Sequence, residues 1–439
     1  MEKFQILVVG SSITNLVCGA LLANSGQDVM YIKIKDQKPD AGFFPEHNEK
    51  FPACEFSYDY DSGIFYELLK ELHLEPAVFC EKELPMQHIV LDGNVLSCQY
   101  SWDSYKALLY HYFPEESKGL DHYFSVIEKL NDEWICMVMS AKLPDYGKIM
   151  NIVRYAKKTY TDFIYENFHN KQLIRILKQD MASKDVSLVV MAGYIMQMYH
   201  GGHLEAGQRE KLKGSLISIL DRSVRVIEAE YEDIRYEYCY EKQCFKIMIG
   251  ECEYQSNALV MDGDPLKKFN INYDCKDRCY TVYINGKLKG QTDTGKNIYR
   301  FWNNMQGKGS DEFNYSCTAA QNSSGIQLRI NVYDRDDTAV SLMAGDAVHY
   351  VKSFCGEISS YEIIREEDIC GLMGWKEGQV NAWSFSPGEF NENPLTKRLL
   401  PPGLYLTEGW GRALMTAAKV TAKNVIEDCK KQVSTYGIQ

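Results

Sequence analysis

Residues 1–36 read MEKFQILVVGSSITNLVCGALLANSGQDVMYIKIKD, and the way this stretch folds decides the architecture of the rest. Phe4 to Val9 is apolar at nearly every position, as a strand buried on both faces of a parallel sheet must be. After a turn at Gly10, the apolar residues Leu16, Val17, Ala20, Leu21 and Leu22 recur at helical spacing, and Ser25-Gly26 is a natural helix stop. DVMYIKI then alternates and is rich in β-branched and aromatic residues, which suits a second parallel strand. The segment is therefore one βαβ unit.

Composition places this unit in an ordinary globular protein. The chain has 439 residues, of which 45% are hydrophobic and 25% charged, so it can bury a sizeable core and is expected to divide it between two interdigitated domains. Net charge is −12 and the pI is about 5.4. With no basic run long enough to neutralise several phosphates, nucleic acid is not an expected partner. The 14 cysteines include no CxxC pair and no signal sequence precedes them, which points to free thiols in a reducing cytoplasm. The longest apolar stretch, Val186 to His200, is too short and interrupted to span a bilayer. It suits a core or a lipid-facing groove, so peripheral membrane contact stays open.

Further along, ELLKELHLEP reads as a short amphipathic helix and QHIVLDGNVLSC as a hairpin turning at Asp92-Gly93. Residues 101–199 are dominated by long helical segments, broken near Pro144 and Asp145. A helix ending near Leu220 precedes three strand-like runs, SVRVIEAEYEDIRYE, QCFKIMIGECEYQ and NALVMDG, which read as a meander. CYTVYING, an irregular stretch from about residue 290 to 324, and the pair IQLRINVY and TAVSLM suggest an added sheet. GLYLTEGW and the sequence after it return to strand, then helix.

Four stretches in this order resemble the phytoene desaturase and carotenoid isomerase family, within the flavin amine oxidase and Rab GDP-dissociation-inhibitor superfamily. They are the opening βαβ unit, TYTDFIYENFHNKQLIRIL, SNALVMDGDPLKKF and GLYLTEGW before the last helix. The resemblance implies an α/β fold: a Rossmann-like FAD/NAD(P)-binding domain with an inserted, largely helical substrate domain and a mixed sheet. The dinucleotide-binding domain would comprise residues 1–100, 201–270 and 386–439. Residues 101–200 would form the helical cap, and 271–385 the substrate-domain sheet with an irregular region.

In such a fold the first βα turn wraps the FAD pyrophosphate. Its first glycine allows the tight turn, the second lets backbone approach phosphate, and the third lets helix pack on strand. The corresponding residues are Gly10, Ser12 and Asn15. The N–H groups of Ser11, Ser12, Ile13 and Thr14 still open a helix N-terminus to an anion, and the Ser12 hydroxyl is expected to donate to phosphate. Asn15 puts bulk between helix and strand, so some loosening is expected there. Where the family has a ribose-binding glutamate stands Lys33, which has donors but no acceptor. With Lys35 it could meet a 2′-phosphate, which keeps NADP in view beside FAD. The family's adenine contact falls at Tyr231. Its flavin-side turn falls at Glu408, Gly409, Trp410, Gly411 and Arg412, shortened and carrying a cation.

His200 and His203 read as loop histidines, and the acidic runs 334–337 and 366–368 as solvated loops lacking EF-hand spacing. Met191 to Tyr199 reads as core, with an apolar tunnel as the other option. No catalytic side chain is expected, because a flavin performs the redox chemistry itself. Two readings follow: an FAD-dependent oxidoreductase of dehydrogenase, desaturase or isomerase type acting on an apolar small-molecule or lipid-like substrate, and a flavin-less pseudoenzyme binding a lipid, prenyl or peptide partner in the same groove. Losing the ribose acceptor and crowding the diphosphate loop each cost roughly 1–3 kcal/mol, which weakens FAD binding without abolishing it.

Overall fold

A computed structural model describes residues 1–35, 63–79, 86–91, 94–140, 145–178, 186–200, 206–262, 280–288, 297–303, 315–322, 325–332, 345–352, 358–364, 400–407 and 414–436. Strand β1 (Glu2–Gly10) lies at the centre of the first sheet, parallel to β2 (Val29–Ile34) on one side and to β8 (Cys252–Met261) on the other. β5 (Arg225–Ala229) extends the parallel set beyond β2, and β14 (Leu404–Leu406) runs parallel to the end of β8. The central strands are apolar throughout because both faces are covered. Ile6 and Val8 point into a core shared with helices, whereas Leu7 and Val9 join a second core with Ile234, Phe245 and Ile247.

The helical side is formed by α1 (Ile13–Asn24), α9 (Ala206–Ser223) and the last helix, α10 (Leu414–Tyr436). Leu16, Val17 and Ala20 of α1 share their core with Leu212 and Leu216 of α9 and with Ala418, Ala422 and Val425 of α10. The opposite side is closed by β6 (Ile234–Cys239) and β7 (Cys244–Ile249), which pair antiparallel with each other, β7 in turn running antiparallel to the start of β8.

The meander differs in detail from the sequence expectation. SVRVIEAEYEDIRYE splits at a 3₁₀ turn, Tyr231–Asp233, into β5 and β6, which lie at opposite edges of the sheet. Residues of the second and third runs merge into one strand, β8. A run long enough for one strand is divided because its halves pair with different partners.

The second sheet has the order β13-β9-β12-β11-β10-β3-β4, built from β3 (Met86–Leu91), β4 (Asn94–Gln99), β9 (Tyr280–Leu288), β10 (Asn297–Asn303), β11 (Tyr315–Asn322), β12 (Gly325–Val332) and β13 (Ile358–Ile364). All neighbours are antiparallel except β3 and β10. The hairpin expected around residues 92–93 forms, with Leu91 opposite Asn94, but it pairs with β10 rather than with the β1 sheet. The stretch from 290 to 324 is not irregular throughout: it contains β10 and β11, whose order comes from pairing with β3 and β12 rather than from local propensity. TAVSLM lies outside the described residues.

Helices α3 (Trp102–Tyr112), α4 (Ser117–Met139), α5 (Met150–Tyr155), α6 (Tyr160–Asn167), α7 (Lys171–Leu177) and α8 (Leu188–His200) form the expected helical insertion. Met191, Ala192, Ile195, Met196 and Tyr199 are buried in its core. Tyr199 stacks on Tyr105 at 4.3 Å between ring centroids and accepts hydrogen bonds from Gln87 and Arg300, both at 3.2 Å. No described helix is long and apolar enough to cross a membrane. Among the described cysteines Cys18, Cys244, Cys317 and Cys429 are buried and all are free thiols; burial pushes the Cys18 thiol far above its usual range.

Candidate functional site

The turn between β1 and α1 lies where the neighbours of β1 diverge, β2 to one side and β8 to the other, the place where open α/β sheets form a ligand crevice. Gly10 adopts φ +153°, a conformation open to glycine and strained for other residues. The next two backbone N–H groups, of Ser11 and Ser12, converge on one oxygen, Oδ2 of Asp262, each at 2.9 Å. Asp262 directly follows β8, and its own N–H donates to the Val9 carbonyl at 3.2 Å. A Cβ on Gly10 would stand 2.1–2.3 Å from the three carboxylate atoms of Asp262. The turn is thus an anion cradle, and its anion is a side chain of this chain.

Ser12 is the N-cap of α1, its hydroxyl accepting from the Asn15 N–H at 3.0 Å, so the oxygen expected to face phosphate is used in local capping. The Ser11 hydroxyl is tied to the end of β2, donating to the Ile34 carbonyl at 2.7 Å and accepting from the Ile34 N–H at 2.9 Å. Ile13 and Thr14, both buried, form the first turn of the helix.

Asn15 does not loosen the packing. It is fully buried, its amide donating to the Val9 carbonyl at 3.2 Å and to Thr407 Oγ1 at 3.3 Å, while its oxygen accepts from the Tyr31 hydroxyl at 2.6 Å. The Gly10 carbonyl, 3.1 Å from the same hydroxyl, is a second acceptor. Space for the ring comes from Gly19, one turn along α1, where a Cβ would come within 2.7 Å of Tyr31. A glycine is still used for close helix–strand approach, four residues later than expected, and Asn15 supplies the polar partner that a buried tyrosine requires.

Lys33 Nζ contacts Glu228 Oε1 at 2.9 Å, and Lys35 contacts Glu230 at 3.8 Å. Glu228 is the register partner of Lys33 across β2 and β5, and the lysine holds its carboxyl below the usual carboxylate range. The cation at the expected ribose position is therefore neutralised by an acid on the neighbouring strand. Tyr231 belongs to a 3₁₀ turn at the end of β5 instead of a strand. Glu408, Gly409, Trp410, Gly411, Arg412 and His203 lie outside the described residues. Sequence reasoning missed Asp262, Tyr31, Glu228 and Thr407. Asp262 carried one signal: it is an acid directly after the strand that pairs with β1.

No protein-family model matches this chain, and no curated protein matches it in sequence. Its structure is similar to cyclohexylamine oxidase from Brevibacterium oxydans IH-35A, with 11% identity, a TM-score of 0.57, and coverage of 98% of this chain and 99% of that one. Putrescine oxidase bound to putrescine matches with the same identity, score and coverage. An oxidoreductase from Methanosarcina mazei matches at 10% identity and a TM-score of 0.55, over 96% of this chain and all of that one. This chain has the flavin amine oxidase fold. In that fold the expected α/β class, with a Rossmann-type sheet, a helical domain and a mixed sheet, is realised along nearly the whole chain.

The cradle of this amine oxidase-type fold fits an FAD diphosphate in its backbone: the Gly10 turn, two convergent N–H groups and a helix N-terminus are all present. It admits one only with Asp262 turned away, because a carboxylate and a diphosphate cannot share the same two donors without strong repulsion.

Proposed function

We propose that this protein is an FAD-dependent oxidoreductase acting on an apolar small molecule, with its nucleotide held at the β1–α1 turn. The observation that carries this reading is the pair of N–H groups on Ser11 and Ser12 meeting a single anionic oxygen at 2.9 Å, at the helix N-terminus. A bound flavin would supply the hydride acceptor. The chain's own contribution is binding and orientation. Gly10 permits the turn, the N–H groups of residues 11–14 with the α1 dipole attract the diphosphate, and the Asn15–Tyr31–Thr407 network fixes the turn's distance from the sheet. Tyr231 would flank the adenine, and Glu408, Gly409, Trp410, Gly411 and Arg412 the flavin ring. The pairing of Lys33 with Glu228 removes the free cation that a 2′-phosphate would need, favouring FAD over NADP.

The nucleotide domain in this reading comprises residues 1–100, 201–270 and 386–439; the pairing of β3 with β10 supports grouping the hairpin at 86–99 with the substrate-domain sheet instead. The desaturase or isomerase subtype, like the cytoplasmic location, rests on the sequence resemblance and the free thiols. A second reading, a flavin-less protein using the same groove for a lipid, prenyl or peptide partner, is favoured by the occupation of the cradle by Asp262. Purification separates the two. Yellow protein releasing one FAD per chain on denaturation is the expected result; colourless protein that takes up no added FAD would leave the flavin-less reading in its place.

A further inference from the structure

We propose that Asp262 is a built-in plug of the nucleotide cradle: its carboxylate sits on the two N–H donors of Ser11 and Ser12, so a nucleotide diphosphate binds only by displacing it. This rests on the nucleotide-binding reading above and adds a regulation to that same site. Both donors are directed to one oxygen of one residue at 2.9 Å. The Asp262 backbone is anchored by its N–H to the Val9 carbonyl, so the side chain is held at the cradle by the sheet itself. The space left by the missing side chain of Gly10, which the diphosphate needs for close approach to backbone, is the space the carboxylate fills. Lys33 and Lys35 already pair with Glu228 and Glu230, so neither is free to neutralise the excess charge if two anions crowd the turn.

Occupation and release follow from electrostatics. The carboxylate satisfies two donors and complements the helix dipole, which favours the plugged state without ligand. A diphosphate brings more charge and more acceptors to the same donors but must first expel the carboxylate. Apparent affinity is reduced by the fraction of molecules in the plugged state. A substitution that keeps the shape of Asp262 and removes its charge therefore tightens diphosphate binding, whereas a residue that only caps the helix, with no competition, produces no such gain.

The test uses the full-length chain and three probes, inorganic pyrophosphate, ADP and FAD, titrated calorimetrically into wild type, Asp262→Asn and Asp262→Ser. Asp103→Asn, at an exposed position on α3, makes the same change in net charge away from the cradle. The expected result is that Asp262→Asn binds pyrophosphate and ADP at least about tenfold more tightly than wild type, the effect of removing about 1.4 kcal/mol of competition, while Asp103→Asn does not. Asp262→Ser provides the same comparison if the asparagine variant fails to fold by circular dichroism. Equal or weaker binding by the folded variants overturns the plug, as does a lack of binding of every probe to every protein. If pyrophosphate and ADP gain affinity but no variant takes FAD, the plug stands and the flavin reading falls. If wild type already holds FAD tightly and the substitutions change nothing, the flavin reading stands and the plug falls.

Discussion

Asn15 is buried in the first turn of α1 with its amide engaged at both ends, by Val9 and Thr407 as acceptors and by Tyr31 as donor. Restoring the usual motif glycine should therefore harm the protein. Asn15→Gly leaves the Tyr31 hydroxyl with the more distant Gly10 carbonyl and opens a void, each lost buried partner costing about 1–3 kcal/mol, with about 1 kcal/mol more for glycine inside a helix. Urea denaturation is expected to show a lower midpoint, and an unchanged or higher midpoint would mean that the network contributes nothing. Gly10→Ala should also destabilise, by about 1–3 kcal/mol of backbone strain together with its overlap with Asp262. The overlap part disappears in an Asp262→Ala background, so a double-mutant cycle should give non-additive losses. The turn at Gly10 was legible in the sequence because its chemistry is local. The bonding role of Asn15 was not, nor were Tyr31 and Asp262, because Asn15 meets Tyr31 16 residues away and Asp262 meets Ser11 about 250 residues away, and no local pattern encodes such a contact.

Elements built from local periodicity were largely readable: β1, α1, β2, the hairpin β3–β4 and the helical insertion all stand where residue spacing puts them. Elements stabilised by distant neighbours were not. YSCTAAQN has little strand propensity of its own, yet it forms β11 between β10 and β12. Similarly, the Lys33–Glu228 pair depends on β5 lying beside β2, which the sequence did not indicate. Lys33→Glu would set two carboxylates side by side across these strands and is expected to lower the melting temperature, with Lys33→Glu/Glu228→Lys restoring most of the loss. The sign of the pH dependence follows from the depressed carboxyl of Glu228. Its stabilising effect is present above the unfolded-state pKa and fades as pH falls through the folded-state value. The gap between wild type and Lys33→Glu should accordingly shrink in acid and in high salt, and a constant gap would show that the pair plays no electrostatic part.

At the scale of the molecule, three distant parts of the chain complete the first sheet and its helical cover: the N-terminal β1 and α1, the central β8, and the C-terminal β14 and α10. The last part is bound by more than apolar contact. Tyr405 donates to Asp428 at 2.8 Å, and Lys419 reaches both carboxylate oxygens of Glu71 at 2.6 Å. Ala418 and Val425 are fully buried and Ala422 nearly so, against the core that contains Leu16 and Val17; burying a valine side chain alone is worth about 1.5–3 kcal/mol. A chain ending at residue 400 would lose β14 and α10, exposing that face of α1 and the edge of β8, and is expected to aggregate or to lose cooperative unfolding. Co-expression of residues 401–439 as a separate polypeptide should restore a soluble complex, because the missing piece docks on a surface formed by the remainder. A truncated chain that stays monomeric and unfolds cooperatively would mean that the helical insertion and second sheet, rather than the interleaved nucleotide-type sheet, carry the stability of the protein.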